Sequence, residues 1–132
     1  MSKRLRLVIS NAFSVNMLEK DEKLSFKKIN DKGAKKLVKR CIKRGIEILS
    51  IVGHESTAKV LSEILGVEIK ANRIVYKMRE GDVILATVIS FRPEEGKIYD
   101  ENSLKDLYNK GKVSFWVIFH EELIDIVSEF LG

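Results

Sequence analysis

The feature that most constrains the fold of this chain is an apolar run followed at once by a turn and a helical pattern. Residues 48–52 are apolar apart from one serine, and residues 53–56 read Gly-His-Glu-Ser. Beyond them, residues suited to one buried helix face recur with helical spacing at Thr57, Leu61, Ile64 and Leu65. The pattern predicts a strand, a tight turn and a helix, with Gly53 permitting a bend that a side chain would obstruct.

The rest of the chain continues this alternation. Strands are expected at 5–10, 24–29, 46–52, 73–79, 83–91 and 112–119, and helices at 31–44, 55–65, 103–110 and 121–131. The fourth and fifth strands should form a hairpin around residues 80–82. Ser103 should cap the third helix, with Asp106 completing a capping box. No linker interrupts residues 1–132, so we expect one α/β domain, a mixed β-sheet flanked by helices, with 120–132 as a C-terminal helical extension.

Composition excludes several classes of protein. A chain of 132 residues is long enough for its own core, and no apolar run approaches the ~18 residues that cross a membrane. Charge interrupts the N-terminus before a signal-peptide core could form. The single cysteine, Cys41, cannot form an internal disulfide and fits a reducing compartment. We therefore expect a cytoplasmic protein that has no membrane partner.

The net charge of +5 is unevenly distributed, because Lys and Arg outnumber Asp and Glu up to residue 45 and the reverse holds beyond it. The densest run, residues 35–44, has helical spacing, and we call the helix expected at 31–44 the basic helix. Its buried face is expected to consist of Leu37, Val38, Cys41 and Ile42. A solvated helix face explains the cations, and non-specific nucleic-acid binding is the alternative. The run contains no aromatic residue that could stack on bases.

Four motifs carry the candidate chemistry. They are Asn-Ala-Phe-Ser-Val-Asn-Met-Leu at 11–18, Gly-His-Glu-Ser-Thr at 53–57, Asn-Arg at 72–73, and Arg-Pro-Glu-Glu-Gly-Lys at 92–97. In this order they resemble the viral anti-CRISPR ring nucleases and their cellular relatives. Those proteins degrade cyclic tetra-adenylate, the second messenger of type III CRISPR defence. The resemblance extends over about residues 6–119.

Metal-free cleavage of an RNA phosphodiester needs few groups. The ribose 2′-OH attacks the phosphorus, charge on the phosphate must be stabilised, and the leaving 5′-oxygen must be protonated. His54 can be the general acid, and Arg92 can offer a planar cation to the phosphate. Short polar side chains lie on the first motif at Asn11, Ser14 and Asn16. The sequence has no cluster of residues at metal-ligand spacing, so neither a metal nor a cofactor is expected.

The resemblance implies a role for each matching position. His54 is the catalytic histidine, Arg92 and Glu95 support it, and Asn11, Ser14 and Arg73 fall at ligand-binding positions. It further implies a homodimer whose two-fold interface holds the ring, giving linear di-adenylates with 2′,3′-cyclic phosphate ends. Relatives often have a glutamine where this chain has Val88, which leaves the rate and the ring-size preference open.

Ordinary structural interpretations and other functions also fit these residues. Without the resemblance, each site residue could be an ordinary cap, turn or surface residue. A helix N-terminus favours a neutral histidine, whereas a general acid must carry a proton, which Glu55, Glu95 or the bound phosphate could help to hold. The other histidine, His120, falls at the expected start of the last helix.

Two alternative functions fit the sequence. One is a protein that binds a cyclic oligoadenylate or other nucleic acid without cleaving it, and the other is a viral transcription regulator.

Overall fold

The computed structural model describes residues 4–91, Gly96 and residues 99–132. The strands are β1 (Arg6–Ser10), β2 (Leu24–Ile29), β3 (Glu47–Ser50), β4 (Asp82–Ile89) and β5 (Val113–His120). The α-helices are α1 (Asp31–Lys43), α2 (Glu55–Leu65), α3 (Glu101–Asn109) and α4 (Ile124–Leu131). Short 3₁₀ turns occupy Val15–Met17 and Glu121–Leu123. None of these helices is both long enough and apolar enough to cross a membrane.

The strands form one mixed sheet, as predicted, in the order β2-β5-β4-β1-β3. The interior strand β1 runs parallel to both β3 and β4, whereas β5 is antiparallel to β4 and to β2. Ile9 pairs with Ser50, and Ser10 pairs with Ala86, so β1 and β3 end nearly level, and β4 continues on the same side of the sheet to Ile89. We call the side of the sheet where they end the carboxyl edge. Loops that leave a shared carboxyl edge can bring their side chains to one site.

The helices cover one face of the sheet. The core on that face contains Leu7 and Ile9 of β1, Leu85 of β4, and residues of all four helices. The largest of these side chains are less than 2% exposed, and each such burial stabilises the fold by about 1.5–3 kcal/mol. The basic helix is α1, and it buries Leu37, Val38 and Cys41 as expected. Ile42, which was expected to be buried with them, is 50% exposed.

The opposite face of the sheet, which we call the irregular face, is covered by two segments without regular strands or α-helices. Residues 13–18 and 73–79 pack there against Val8, Ile84 and Ile118. The backbone N–H of Met78 donates to the carbonyl of Met17 at 2.7 Å and joins the two segments. Several apolar side chains on this side remain exposed, namely Val15, Phe26, Ile74, Val75 and Val88.

The predicted hairpin between 73–79 and 83–91 is wrong. Both edges of β4 are occupied, one by β1 and the other by β5, so residues 73–79 have no edge to pair with. They cross the irregular face instead, with Tyr76 and Met78 buried and Lys77 exposed between them. The residues 80–82 still form a turn, in which Gly81 has φ +87 and a Cβ would lie 2.1 Å from the carbonyl oxygen of Arg4.

Two boundaries near the C-terminal end also differ from prediction. The N-cap of α3 is Asp100, whose side chain accepts a hydrogen bond from the backbone N–H of Ser103 at 2.8 Å. The prediction that Ser103 is the N-cap is therefore wrong. The helix begins earlier, and the side chain of Asp100 accepts the capping hydrogen bond. The last helix begins as the 3₁₀ turn Glu121–Leu123 before it continues as α4.

Candidate functional site

The candidate site lies at the carboxyl edge. Asn11 directly follows β1, and His54 comes four residues after the end of β3. β4 leads from the same edge towards Arg92 and Glu95, which lie outside the described residues. In the sheet β1 lies between β3 and β4, and the chain leaves all three parallel strands on the same side of the sheet. This is the position in open α/β sheets where ligands commonly bind.

His54 is the N-cap residue of α2 and is exposed to solvent. Its backbone is extended (φ −127, ψ 135), and its carbonyl accepts the first helical hydrogen bond from Ala58 at 2.9 Å. Its imidazole makes no capping bond and contacts no ion-pair partner within the described part of the chain. The first-turn N–H groups of α2 give this end of the helix a partial positive charge. The imidazole is therefore free to meet an anion at a helix terminus that attracts anions.

Arg73 lies beside the turn that carries His54. A Cβ built on Gly53 would lie 3.6 Å from Cγ of Arg73, an ordinary contact distance. The φ angle of Gly53 is not positive, so the expectation that a side chain here would obstruct the turn is wrong. The exposed Arg73 side chain thus passes the turn at van der Waals distance. Among the described residues, the guanidinium of Arg73 has no ion-pair partner.

Asn72 fixes the segment that carries Arg73 to the outer edge of β3. Its backbone N–H donates to the carbonyl of Val52 at 2.7 Å, and its side-chain Nδ2 donates to the carbonyl of Ser50 at 2.8 Å. The hydroxyl of Ser50 donates in turn to the carbonyl of Lys70 at 2.7 Å. Asn72 was not among the site residues predicted from the sequence. The available signal was an amide side chain next to a candidate ligand-binding arginine.

The loop after β1 supplies the remaining predicted residues. Ser10 is buried, and its hydroxyl donates to the carbonyl of Ala12 at 2.5 Å and accepts from the N–H of Ala12 at 3.1 Å, which fixes the start of the loop. Asn11 is half-buried at the carboxyl edge, whereas Ser14 and Asn16 are exposed further along. Ser14 precedes the 3₁₀ turn without capping it through its side chain. Of these predicted residues, Asn11 lies at the carboxyl edge, whereas the Asn16 end of the loop lies beside Lys77 and Met78 on the irregular face.

The two histidines lie at opposite edges of the sheet. His120 is the last residue of β5 and is buried, and its neighbour Phe119 pairs with Val83 at the start of β4. Its Nε2 lies 3.0 Å from a carboxylate oxygen of Glu22. This buried pair is a structural contact at the end of the sheet away from His54. Across the described residues no three His, Cys, Asp or Glu side chains gather as metal ligands.

Comparison with known proteins places this α/β domain in a group of archaeal viral proteins. The family model described as STIV B116-like matches residues 7–115, and the chain belongs to that family. The solved structure of B116 of Sulfolobus turreted icosahedral virus superimposes with a TM-score of 0.80 at 32% identity. That match covers 87% of this chain and 99% of B116.

Curated relatives come from other archaeal viruses. Protein ORF116 of Acidianus filamentous virus 1 is 29% identical over 70 residues, which is 53% of this chain and 60% of ORF116. Protein 26 of Sulfolobus islandicus filamentous virus is 48% identical over 50 residues, covering 38% of this chain and 42% of that protein. The matches thus span less than two thirds of these two relatives.

Proposed function

We propose that this protein is a metal-independent ring nuclease that cleaves cyclic tetra-adenylate and so switches off type III CRISPR signalling. The observation that supports the proposal most directly is the exposed imidazole of His54 at the N-terminus of α2, beside Arg73 and next to the loop that follows β1. An acid–base group, a cation and a helix terminus that attracts anions are the parts that phosphodiester cleavage needs. The order of the four motifs supports the same assignment.

The proposed reaction is a transesterification within the ring. The ribose 2′-oxygen forms a bond to the adjacent phosphorus, and the bond from phosphorus to the 5′-oxygen breaks. Protonated His54 donates a proton to the leaving 5′-oxygen, while the proton of the 2′-hydroxyl passes to water. Arg73 and the first-turn N–H groups of α2 stabilise the charge that accumulates on the phosphate oxygens. The products carry 2′,3′-cyclic phosphate ends.

Arg92 and Glu95 complete the proposed catalytic group on the strength of the sequence motif. They follow β4, which ends at the same edge of the sheet as β1 and β3. Arg92 would hold the phosphate through paired N–H groups, and Glu95 would favour the protonated form of His54.

A homodimer is part of the proposal because one chain presents one His54 to a ring with equivalent phosphates. The irregular face carries exposed apolar side chains, of which Val75 is 89% exposed. Phe26 lies on the same face and packs edge-to-face on Phe13, the third residue of the loop after β1. A second copy seated on this face would bury these side chains close to the ligand-binding loop. Two copies related by a two-fold axis would place two His54 side chains on opposite scissile bonds.

The nucleic-acid alternatives depend on the basic helix, and two of its cations are engaged in the fold. Arg40 donates to the carbonyl of Phe130 at 2.7 Å, and the guanidinium of Arg44 lies 4.5 Å from the centroid of the Phe130 ring. These contacts attach α4 to α1. Lysines therefore provide most of the remaining charge on the exposed side of the helix, which is typical of a solvated face.

Incubation of the purified protein with cyclic tetra-adenylate in EDTA tests the proposal. Cleavage to linear di-adenylates that His54→Ala slows at least a hundredfold, the scale of a positioned acid, would support the ring nuclease. His120→Ala is the matched control, because it removes the other histidine at the far edge of the sheet and should leave turnover per folded molecule near that of the wild type. Tight binding without turnover would favour the binding protein instead. Failure to bind the ring, with retention of DNA, would favour the transcription regulator.

A further inference from the structure

We infer that Asn72 is a positioning residue that sets the place of Arg73 relative to His54, an inference that rests on the proposed function. Asn72 is held twice by the segment that leads from β3 to His54. Its backbone N–H bonds to Val52, two residues before His54, and its side chain bonds to the carbonyl of Ser50. Arg73 follows Asn72 directly, so these two bonds set the position from which its side chain begins.

The hydrogen bonds of Asn72 lie next to Arg73, whereas the next contacts that hold the segment are made by Tyr76 and Lys77, later in the sequence. Ile74 and Val75 are exposed, and the next buried side chain is Tyr76, whose hydroxyl donates to Asp82 at 2.5 Å. Beyond it, Lys77 donates to the carbonyl of Asn16 at 2.5 Å. Between residues 72 and 76, the position of Arg73 therefore depends chiefly on the hydrogen bonds of Asn72.

The chemistry of the Asn72 side chain matters because its partner is an acceptor. The carbonyl oxygen of Ser50 accepts from Nδ2, so only a side chain that donates a hydrogen bond can make this contact. β3 is an edge strand that pairs with β1 along one side. Asn72 bonds to Ser50 on the opposite side, where no strand of the described residues pairs with β3. Asn72→Ala removes the donor, and Asn72→Asp keeps the size of the side chain but faces a carboxylate towards a carbonyl. The backbone bond to Val52 remains possible in both variants.

The test measures the dissociation constant of cyclic tetra-adenylate in the His54→Ala background, where the ring is not consumed. Asn72→Ala, Asn72→Asp, Arg73→Ala and the double variant Asn72→Ala/Arg73→Ala are compared. Loss of one positioned hydrogen bond should weaken binding about tenfold in each Asn72 variant. With Arg73 already removed, Asn72→Ala should weaken binding less than about twofold further, because residues that act as a unit are not additive. Asn109→Ala, an exposed asparagine in the last turn of α3, is the matched control and should bind normally.

A second measurement is the single-turnover cleavage rate with His54 intact. A displaced Arg73 should lower the rate about tenfold to a hundredfold even at saturating ligand, since small misplacements of a catalytic group are costly. If Asn72→Ala does not fold, both measurements are made with Asn72→Asp instead. Equal effects of Asn72→Ala with and without Arg73, or wild-type affinity and rate in both Asn72 variants, would overturn the inference while leaving the ring nuclease intact. A wild-type protein that neither binds nor cleaves the ring would overturn the proposed function, and this inference with it.

Discussion

Replacement of Asp82 by asparagine should cost about 3 kcal/mol of folding stability. Asp82 is the first residue of β4, and its side chain is 2% exposed. Its carboxylate accepts hydrogen bonds from Nε and Nη2 of Arg6, each at 2.8 Å. It also accepts the hydroxyl of Tyr76 and the backbone N–H of Arg79. Burial and the bond to Asp82 raise the pKa of Tyr76 far above its usual range, so its hydroxyl stays a donor. The carboxylate thus attaches the irregular segment 73–79 to the sheet.

The magnitude follows from what the substitution leaves behind. Removing one partner of a buried ion pair typically costs about 3–5 kcal/mol, because the other charge stays buried without compensation. The Arg6 side chain is 11% exposed, and the carboxylate that it keeps among the described residues is that of Glu47, at 3.7 Å, which is itself 57% exposed. Asparagine retains one acceptor oxygen, which places the expected cost near the lower end of that range. A loss of this size is a large share of the ~5–15 kcal/mol that stabilises a typical domain.

Urea unfolding followed by the fluorescence of Trp116, the single tryptophan, measures this cost. Asp106→Asn is the matched control, because Asp106 pairs with Lys110 on the surface, where both side chains are at least 60% exposed. Such a pair contributes at most about 0.5 kcal/mol. Equal stabilities of the two variants would refute the reasoning, since they would show that the buried network around Asp82 contributes no more than a surface pair.

The remaining predictions concern the proposed chemistry, the basic helix and the cysteine. Arg92→Lys should reduce cleavage of cyclic tetra-adenylate, because an ammonium keeps the charge and loses the paired N–H groups; full activity would reduce Arg92 to a generic cation. Neutralising Lys35, Lys36 and Lys39 should abolish salt-dependent DNA retention in a filter-binding assay and leave cleavage intact. Loss of cleavage in the folded variant would instead show that the basic helix is part of the active surface. Arg40 is left unchanged because it supports α4. Burial raises the pKa of Cys41 to about 11, so at pH 8 its thiol should react with an aromatic disulfide reagent only after unfolding, and rapid labelling of the native protein would contradict its burial.

The sequence predicted most of the fold because several signals agreed in the same segments. The bounds of β2 and α2 are as predicted, and in α2 an apolar face, a first-turn acid and a terminal glycine all coincide. Segment 73–79 was mistaken for a strand because alternating burial has two causes. It arises in a paired strand, and it arises equally in an extended segment that crosses a sheet face, as Tyr76 and Met78 do.

The site was predictable only where a side chain has a chemical reason to be present. His54, Arg73 and Asn11 could be named from residue type and motif, and the structure brings all three to the carboxyl edge or its loops. Asn72 was overlooked because its partners lie about twenty residues earlier, and no local pattern reveals a bond from a side chain to a distant backbone carbonyl. The roles of Arg92 and Glu95 stay predictions.

The unequal covering of the two sheet faces has a consequence for how the protein responds to heating. The helices bury the large core, whereas the irregular face is sealed by two segments whose backbones meet at Met17 and Met78. Regions with few buried contacts open locally at lower free energy than the whole domain unfolds. Amide hydrogens at 73–79 should therefore exchange before those of β4 and β5. That opening releases Arg73 while His54 remains on α2. If the proposed function holds, affinity for cyclic tetra-adenylate should therefore fall at temperatures where the sheet is still intact.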